Sequence, residues 1–150
     1  MRYKGNVKMN TKPQNTFSLT IGKMEYGWAD IEFIFDGQPL TVICEYTPND
    51  ALADFVKSAI QIFYGVNSAV VFPNGSKAEL LTAQKTDEFI CRVSIGEYSE
   101  ELTVKQYIRA VLKMFDKYTY VHSEEEYTKK WQCPFPSSDL KRLRECFKAL

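Results

Sequence analysis

Glu45-Tyr46-Thr47-Pro48-Asn49-Asp50-Ala51-Leu52-Ala53-Asp54-Phe55-Val56-Lys57-Ser58-Ala59-Ile60-Gln61-Ile62-Phe63 reads as a strand end, a helix start and a helix, and a stretch 52 positions later echoes it. Glu45-Tyr46-Thr47 falls on Glu97-Tyr98-Ser99, Phe55-Val56-Lys57 on Tyr107-Ile108-Arg109, and residues 59–63 on Val111-Leu112-Lys113-Met114-Phe115. In the first copy Thr47 is the expected cap, with Pro48 at the first helical position, where no amide partner is missed, and Asp50 near the positive end of the helix dipole. The helix should run to about Tyr64 and stop at Gly65. Leu52, Phe55, Val56, Ala59, Ile60, Ile62 and Phe63 form a stripe broader than a surface helix needs, so it should lie buried against a sheet. In the second copy Ser99 is the expected cap and Glu100 and Glu101 the first turn, while Val104, Tyr107, Ile108, Val111, Leu112, Phe115 and Tyr118 mark the buried face. Duplication, or two helices solving the same burial problem, accounts for the echo.

Upstream, Phe17, Leu19 and Ile21 alternate with polar residues, as a half-buried strand requires. After a turn between Gly22 and Gly27, Trp28 to Phe35 alternates again, with Ala29, Ile31, Phe33 and Phe35 on one face and Trp28, Asp30, Glu32 and Ile34 on the other. Asp36-Gly37 signals a tight hairpin, because both central positions of a type I′ turn need positive φ. Leu40, Val42, Cys44 and Tyr46 share a face of the next strand, which starts near Pro39. Residues 69–72 and 77–83 flank an Asn74-Gly75 hairpin, and Phe89, Cys91, Val93 and Ile95 alternate in a sixth strand. The expected fold is therefore α+β, a largely antiparallel sheet of about six strands with two main helices on one face and a helical C-terminal appendage.

The chain of 150 residues is the length of one domain. We expect a basic, flexible arm over 1–16, then a single α+β domain over 17–150, made of strand-strand-helix halves at 17–64 and 69–118 plus C-terminal helices in 123–150. In the appendage Ser123-Glu124-Glu125-Glu126 fits a capping box, a short helix runs to Trp131, and Cys133-Pro134-Phe135-Pro136 precedes a last helix bearing Leu140, Leu143, Phe147 and Leu150.

Basic and acidic residues balance at nineteen each, which argues against nucleic acid as partner. The distribution is uneven: residues 1–16 carry Arg2, Lys4, Lys8 and Lys12 and no acid, and residues 17–120 hold nine basic and fourteen acidic residues, a surplus of five acids. No apolar run approaches the length of a membrane span, so a cytoplasmic location without membrane contact is expected. Four scattered cysteines, Cys44, Cys91, Cys133 and Cys146, form no C-x-x-C pair and no disulfide framework is expected.

Little in the sequence points to catalysis. A single histidine, His122, cannot build a multi-histidine metal site, and Cys133 would serve as its nucleophile only if folding joined them. The glycines form neither a dinucleotide fingerprint nor a P-loop. No catalytic residue, metal ligand or cofactor is therefore assigned. The candidate binding residues are Trp28, Asp30 and Glu32 on one strand face, Glu45 and Glu97 as a matched acid pair at the two junctions, and Tyr120, Tyr127 and Trp131, aromatics set in a polar segment as interface aromatics often are.

Gly27-Trp28-Ala29, the Asp36-Gly37 hairpin and residues 45–55 together carry a resemblance. The chain resembles a loose group of small bacterial proteins that share a G-W-A strand opening and a strand ending in S-Y-x-x-D-A-L-x-D-L before a helix. The Ser of that pattern is Glu45 here. The group is similar in kind to the immunity proteins that protect bacteria from polymorphic toxins by binding them. The resemblance implies a non-catalytic bacterial protein whose partner is another protein, such as a toxin domain. The alternative is a small-molecule binding protein or an enzyme with a pocket between sheet and helices. Homodimerisation through an exposed edge strand or the apolar tail fits both.

Overall fold

The computed structural model describes residues 17–150, and the expected N-terminal arm lies outside them. Among the described residues seven strands and four helices follow in order: β1 (Ser18–Glu25), β2 (Trp28–Phe35), β3 (Gln38–Glu45), α1 (Ala51–Phe63), β4 (Ser68–Asn74), β5 (Lys77–Lys85), β6 (Ile90–Ile95), β7 (Tyr98–Thr103), α2 (Val104–Val121), α3 (Glu124–Trp131) and α4 (Ser137–Lys148). The class is α+β, as expected, but the strands make two antiparallel meanders, β1-β2-β3 and β4-β5-β6-β7, in place of one six-stranded sheet.

The first meander follows its sequence pattern closely. Asp36 and Gly37 take φ of 49° and 82°, the two positive values a type I′ turn demands, and Tyr26-Gly27 repeats that geometry between β1 and β2 at 52° and 81°. Ala29, Ile31, Phe33 and Phe35 are buried while Glu32 and Ile34 are exposed. In β1 the register shifts between Ile21 and Met24, so the inward face passes from odd to even numbers: Phe17, Leu19 and Ile21 point in, then Met24 does, and Glu25 turns out opposite Trp28.

The helix start differs from its expected form. Asp50, not Thr47, is the N-cap of α1 and accepts from the Ala53 amide at 3.1 Å, and Pro48 lies outside the helix. The helix stops where expected, with Tyr64 as its C-cap followed by Gly65 at a φ of 82°.

Residues 97–101, the expected second lead-in, form no strand-to-helix junction. Gly96, at a φ of 56°, turns the chain after β6 and adds a seventh strand. Glu97 sits in that turn, Ser99 caps nothing, and Glu100 and Glu101 lie in β7. The cap of α2 is Thr103, in a reciprocal capping box with Gln106. The strand escaped notice because an acid occupies an inward position: Glu100 is buried and its Oε1 accepts the Asp36 amide at 2.6 Å, tying the second meander to the β2–β3 turn. Phe89 precedes β6 and is exposed, against its expected place in the buried alternation. The helices themselves do echo one another: apart from Ala51, every buried position of α1 falls on a buried position of α2 when shifted by 52.

One continuous core joins both meanders and all four helices. Phe33 stacks near Phe35 and Phe55 and meets Phe72 edge-on, so β2, α1 and β4 share an aromatic cluster. Two seams close the structure. At one, β3 runs beside β4, where Glu45 Oε1 accepts the Gly75 amide at 3.0 Å and Asn49 Nδ2 donates to the Val71 carbonyl at 2.9 Å. The buried Glu100 makes the other. Inside, the Ser58 hydroxyl lies 3.0 Å from the Tyr107 hydroxyl and 2.7 Å from that of Ser68, so a hydroxyl on α1 has partners at depth.

The C-terminal helices complete this core. Tyr127, Trp131 and Leu143 are fully buried, Leu140 nearly so, and the Gly27 amide donates to the Lys130 carbonyl at 2.8 Å. The hydroxyls of Tyr118 and Tyr127 are buried without a hydrogen-bond partner among the described residues. A buried hydroxyl that makes no bond carries its desolvation cost uncompensated. Tyr127→Phe should therefore raise stability by about 1 kcal/mol and the melting temperature by roughly 2–4 °C. A thermal melt showing a drop of that size would mean that the hydroxyl is satisfied in solution.

Candidate functional site

The sequence-derived candidates divide into four groups in three dimensions. Tyr127 and Trp131 are withdrawn as binding residues, because both are fully buried and touch only the protein's own interior. They form the inward face of α3, where Tyr127 packs against Phe115, Tyr118 and Phe135 and the Trp131 indole reaches Asp50. Tyr120 is 91% exposed on the last turn of α2, beside exposed Val121. Glu45 and Glu97 do not form a pair. Glu45 ends β3, whereas Glu97 borders a shallow cleft with Asp36 and Gln38, next to the start of β3, so the two lie roughly 20 Å apart along that strand.

Trp28, Asp30, Glu32 and Glu45, by contrast, share one surface. On the outer face of the first meander Trp28 stands opposite Glu45, Asp30 opposite Ile43, and Glu32 opposite Thr41. On the other side of β2, Glu25 faces Trp28 and Thr20 faces Glu32. The result is a central acidic row on β2 with two further carboxylates flanking Trp28, and with Ile34 and Ile43 exposed among them. Glu25, Asp30 and Glu32 join no ion pair among the described residues. Glu45 is held by the Gly75 amide. Trp28 is half-buried, so its ring is already fixed while part of it remains open.

Glu25 and Ile43 were missed from sequence. Counting by twos from Phe17 puts Glu25 on the inner face, and only the β1 irregularity turns it outward. Gly22 has a local reason here: a side chain at that position would meet Glu32 Oε2 at 2.8 Å, so the glycine leaves room for the Glu32 carboxylate to lie over β1.

The geometry opposes thiol catalysis. Burial, followed by the charge of Asp50, pushes the Cys133 thiol up to about 11, and burial takes Cys44 and Cys91 to about 12. A nucleophilic cysteine needs the opposite shift. His122 Nδ1 is 3.0 Å from Glu126 Oε2, with Lys130 on the same oxygen at 3.2 Å. Among the described residues no group of His, Cys, Asp and Glu is arranged to hold a metal ion, and no helix is long and apolar enough to cross a membrane. No family model, curated protein or solved structure matches the chain.

Proposed function

We propose that the chain is a non-catalytic, cytoplasmic bacterial protein that binds another protein through the outer face of β1–β3, in the manner of an immunity protein neutralising a toxin domain. The observation that carries this reading is the set of carboxylates, Glu25, Asp30 and Glu32, that join no ion pair among the described residues and are arranged around a half-buried Trp28 and two exposed isoleucines. Negative charge on a sheet face steers a cationic partner and selects against acidic ones, while an aromatic surrounded by polar residues is the usual anchor of an interface. Toxin domains that cleave nucleic acid present a cationic surface, which is the complement of this face. The resemblance in residues 27–29 and 45–55 points the same way.

The experiment is co-expression with the product of the neighbouring reading frame, followed by affinity measurement at low and physiological salt. A toxin-domain partner should bind the native chain, and Glu25→Gln/Asp30→Asn/Glu32→Gln should weaken it at least about tenfold, mainly through slower association. Glu124→Gln/Glu125→Gln, exposed acids on α3, should change affinity less than about twofold. Equal binding by the native chain and the sheet-face variant would sink the reading, as would a neighbour that neither binds nor resembles a toxin.

A further inference from the structure

A second charged surface lies on the other side of β1. Helix α2 carries Lys105, Arg109, Lys113 and Lys117, four residues apart and therefore on one side of the helix. Like charges at that spacing destabilise a helix, so the stripe calls for compensation. The helix supplies none: its one acid, Asp116, pairs with Arg144 on α4. Three of the four cations, Arg109, Lys113 and Lys117, line a cleft of about 340 Å³ between β1 and α2, together with Phe17, Ser18, Leu19, Gln106 and Ala110.

The cleft has an apolar floor in Phe17, Leu19 and Ala110, all buried, beneath a cationic rim. Two of the cations are held in place. The Arg109 guanidinium lies 5.6 Å from the centre of the Phe147 ring, and Lys117 Nζ donates to Thr20 Oγ1 at 2.9 Å. None of the three joins an ion pair among the described residues. Burial and then the charge of Lys113 push the Lys117 ammonium below its ordinary range, with Glu32 opposing them.

We propose that the cleft between β1 and α2 binds a compact phosphorylated small molecule, whose phosphates are held by Arg109, Lys113 and Lys117. The volume lies at the small end of ligand sites, and an apolar floor with a few convergent polar groups is their usual make-up. Arg offers a planar fork and Lys a point charge, the two common modes of phosphate binding. Size and field argue against an extended polyanion. Such a chain leaving the cleft across β1 would meet Glu25, Asp30 and Glu32, whereas a compact ligand stays on the cationic side.

The test is titration of the full chain with inorganic pyrophosphate and, separately, with ATP, followed by calorimetry and amide chemical shifts. Saturable binding with a dissociation constant near or below about 1 mM is expected, with the largest shifts at Ser18, Leu19 and Ala110. Lys113→Gln/Lys117→Gln should weaken it at least about tenfold, and Lys105→Gln, on the same stripe but outside the cleft, less than about twofold. Both variants replace exposed side chains, and circular dichroism verifies their folding. If the double variant fails to fold, the shift map of the unaltered chain decides. Absence of saturation at about 10 mM pyrophosphate, equal losses in the Lys105→Gln control, or tighter binding of a single-stranded oligonucleotide at the same salt would each overturn the proposal.

Discussion

Trp131→Ala is expected to lower the free energy of unfolding by about 4–5 kcal/mol and the melting temperature by roughly 10–15 °C. The indole is fully buried where α3 meets the body, and its Nε1 donates to Asp50 Oδ1 at 2.8 Å. That same oxygen accepts the Ala53 amide and caps α1. Removing the ring thus leaves a large cavity and deprives the capping carboxylate of a buried donor, two losses that fall on one point. Trp131→Phe keeps most of the volume and loses chiefly the hydrogen bond, so it should cost about 1–2 kcal/mol. Urea denaturation of the two variants checks the pair. A loss below about 1 kcal/mol for the alanine variant would mean that α3 does not close the core in solution.

Gly27→Ala should cost about 2–4 kcal/mol, a large effect for one methyl group in a turn. Gly27 holds a φ of 81°, and a side chain there would run into the Tyr46 ring. The two main chains cannot move apart without loss, since the Tyr46 amide donates to the Gly27 carbonyl at 2.9 Å while the Gly27 amide donates to the Lys130 carbonyl, and the Tyr46 ring is packed against the core. Gly75 supplies the control. Its φ is 62° with nothing within 4 Å of an added side chain, so Gly75→Ala should cost only the backbone term, about 1–2 kcal/mol. Introducing Gly27→Ala into a Tyr46→Ala background should bring its cost down to that of Gly75→Ala. Persistence of the full loss in that background would place the strain somewhere other than the ring.

The G-W-A opening gains a physical meaning from these contacts. Gly27 permits the turn and the close approach of Tyr46, Trp28 presents a half-buried ring on the outer face, and Ala29 is fully buried in β2. Two of the three residues thus serve the fold, and one belongs to the candidate binding face.

Local pattern determined a good deal. Alternation identified the inner faces of β2 and β3, Asp36-Gly37 its turn, Gly65 the end of α1, and the apolar spacing the buried side of α2. Each depends on neighbours within a few residues, where φ preference and side-chain period act directly. The candidate face was legible in part for the same reason: Trp28, Asp30 and Glu32 alternate with the core residues of one strand, and the register then set Glu45 beside Trp28.

Tertiary structure decided what depends on distant parts of the chain. Glu100 looked like a helix-start acid until the Asp36 amide, 64 positions away, made it a buried acceptor in a strand. Glu25 changed faces through one irregularity in β1. Tyr127 and Trp131 lie in a polar segment and resemble interface residues, and only the arrival of Asp50, 81 positions earlier, shows that they close the protein's own core. An amphipathic helix specifies by its own sequence that it must bury a face, but whether it meets its own domain or another protein is set by which apolar surface the rest of the fold leaves open to it.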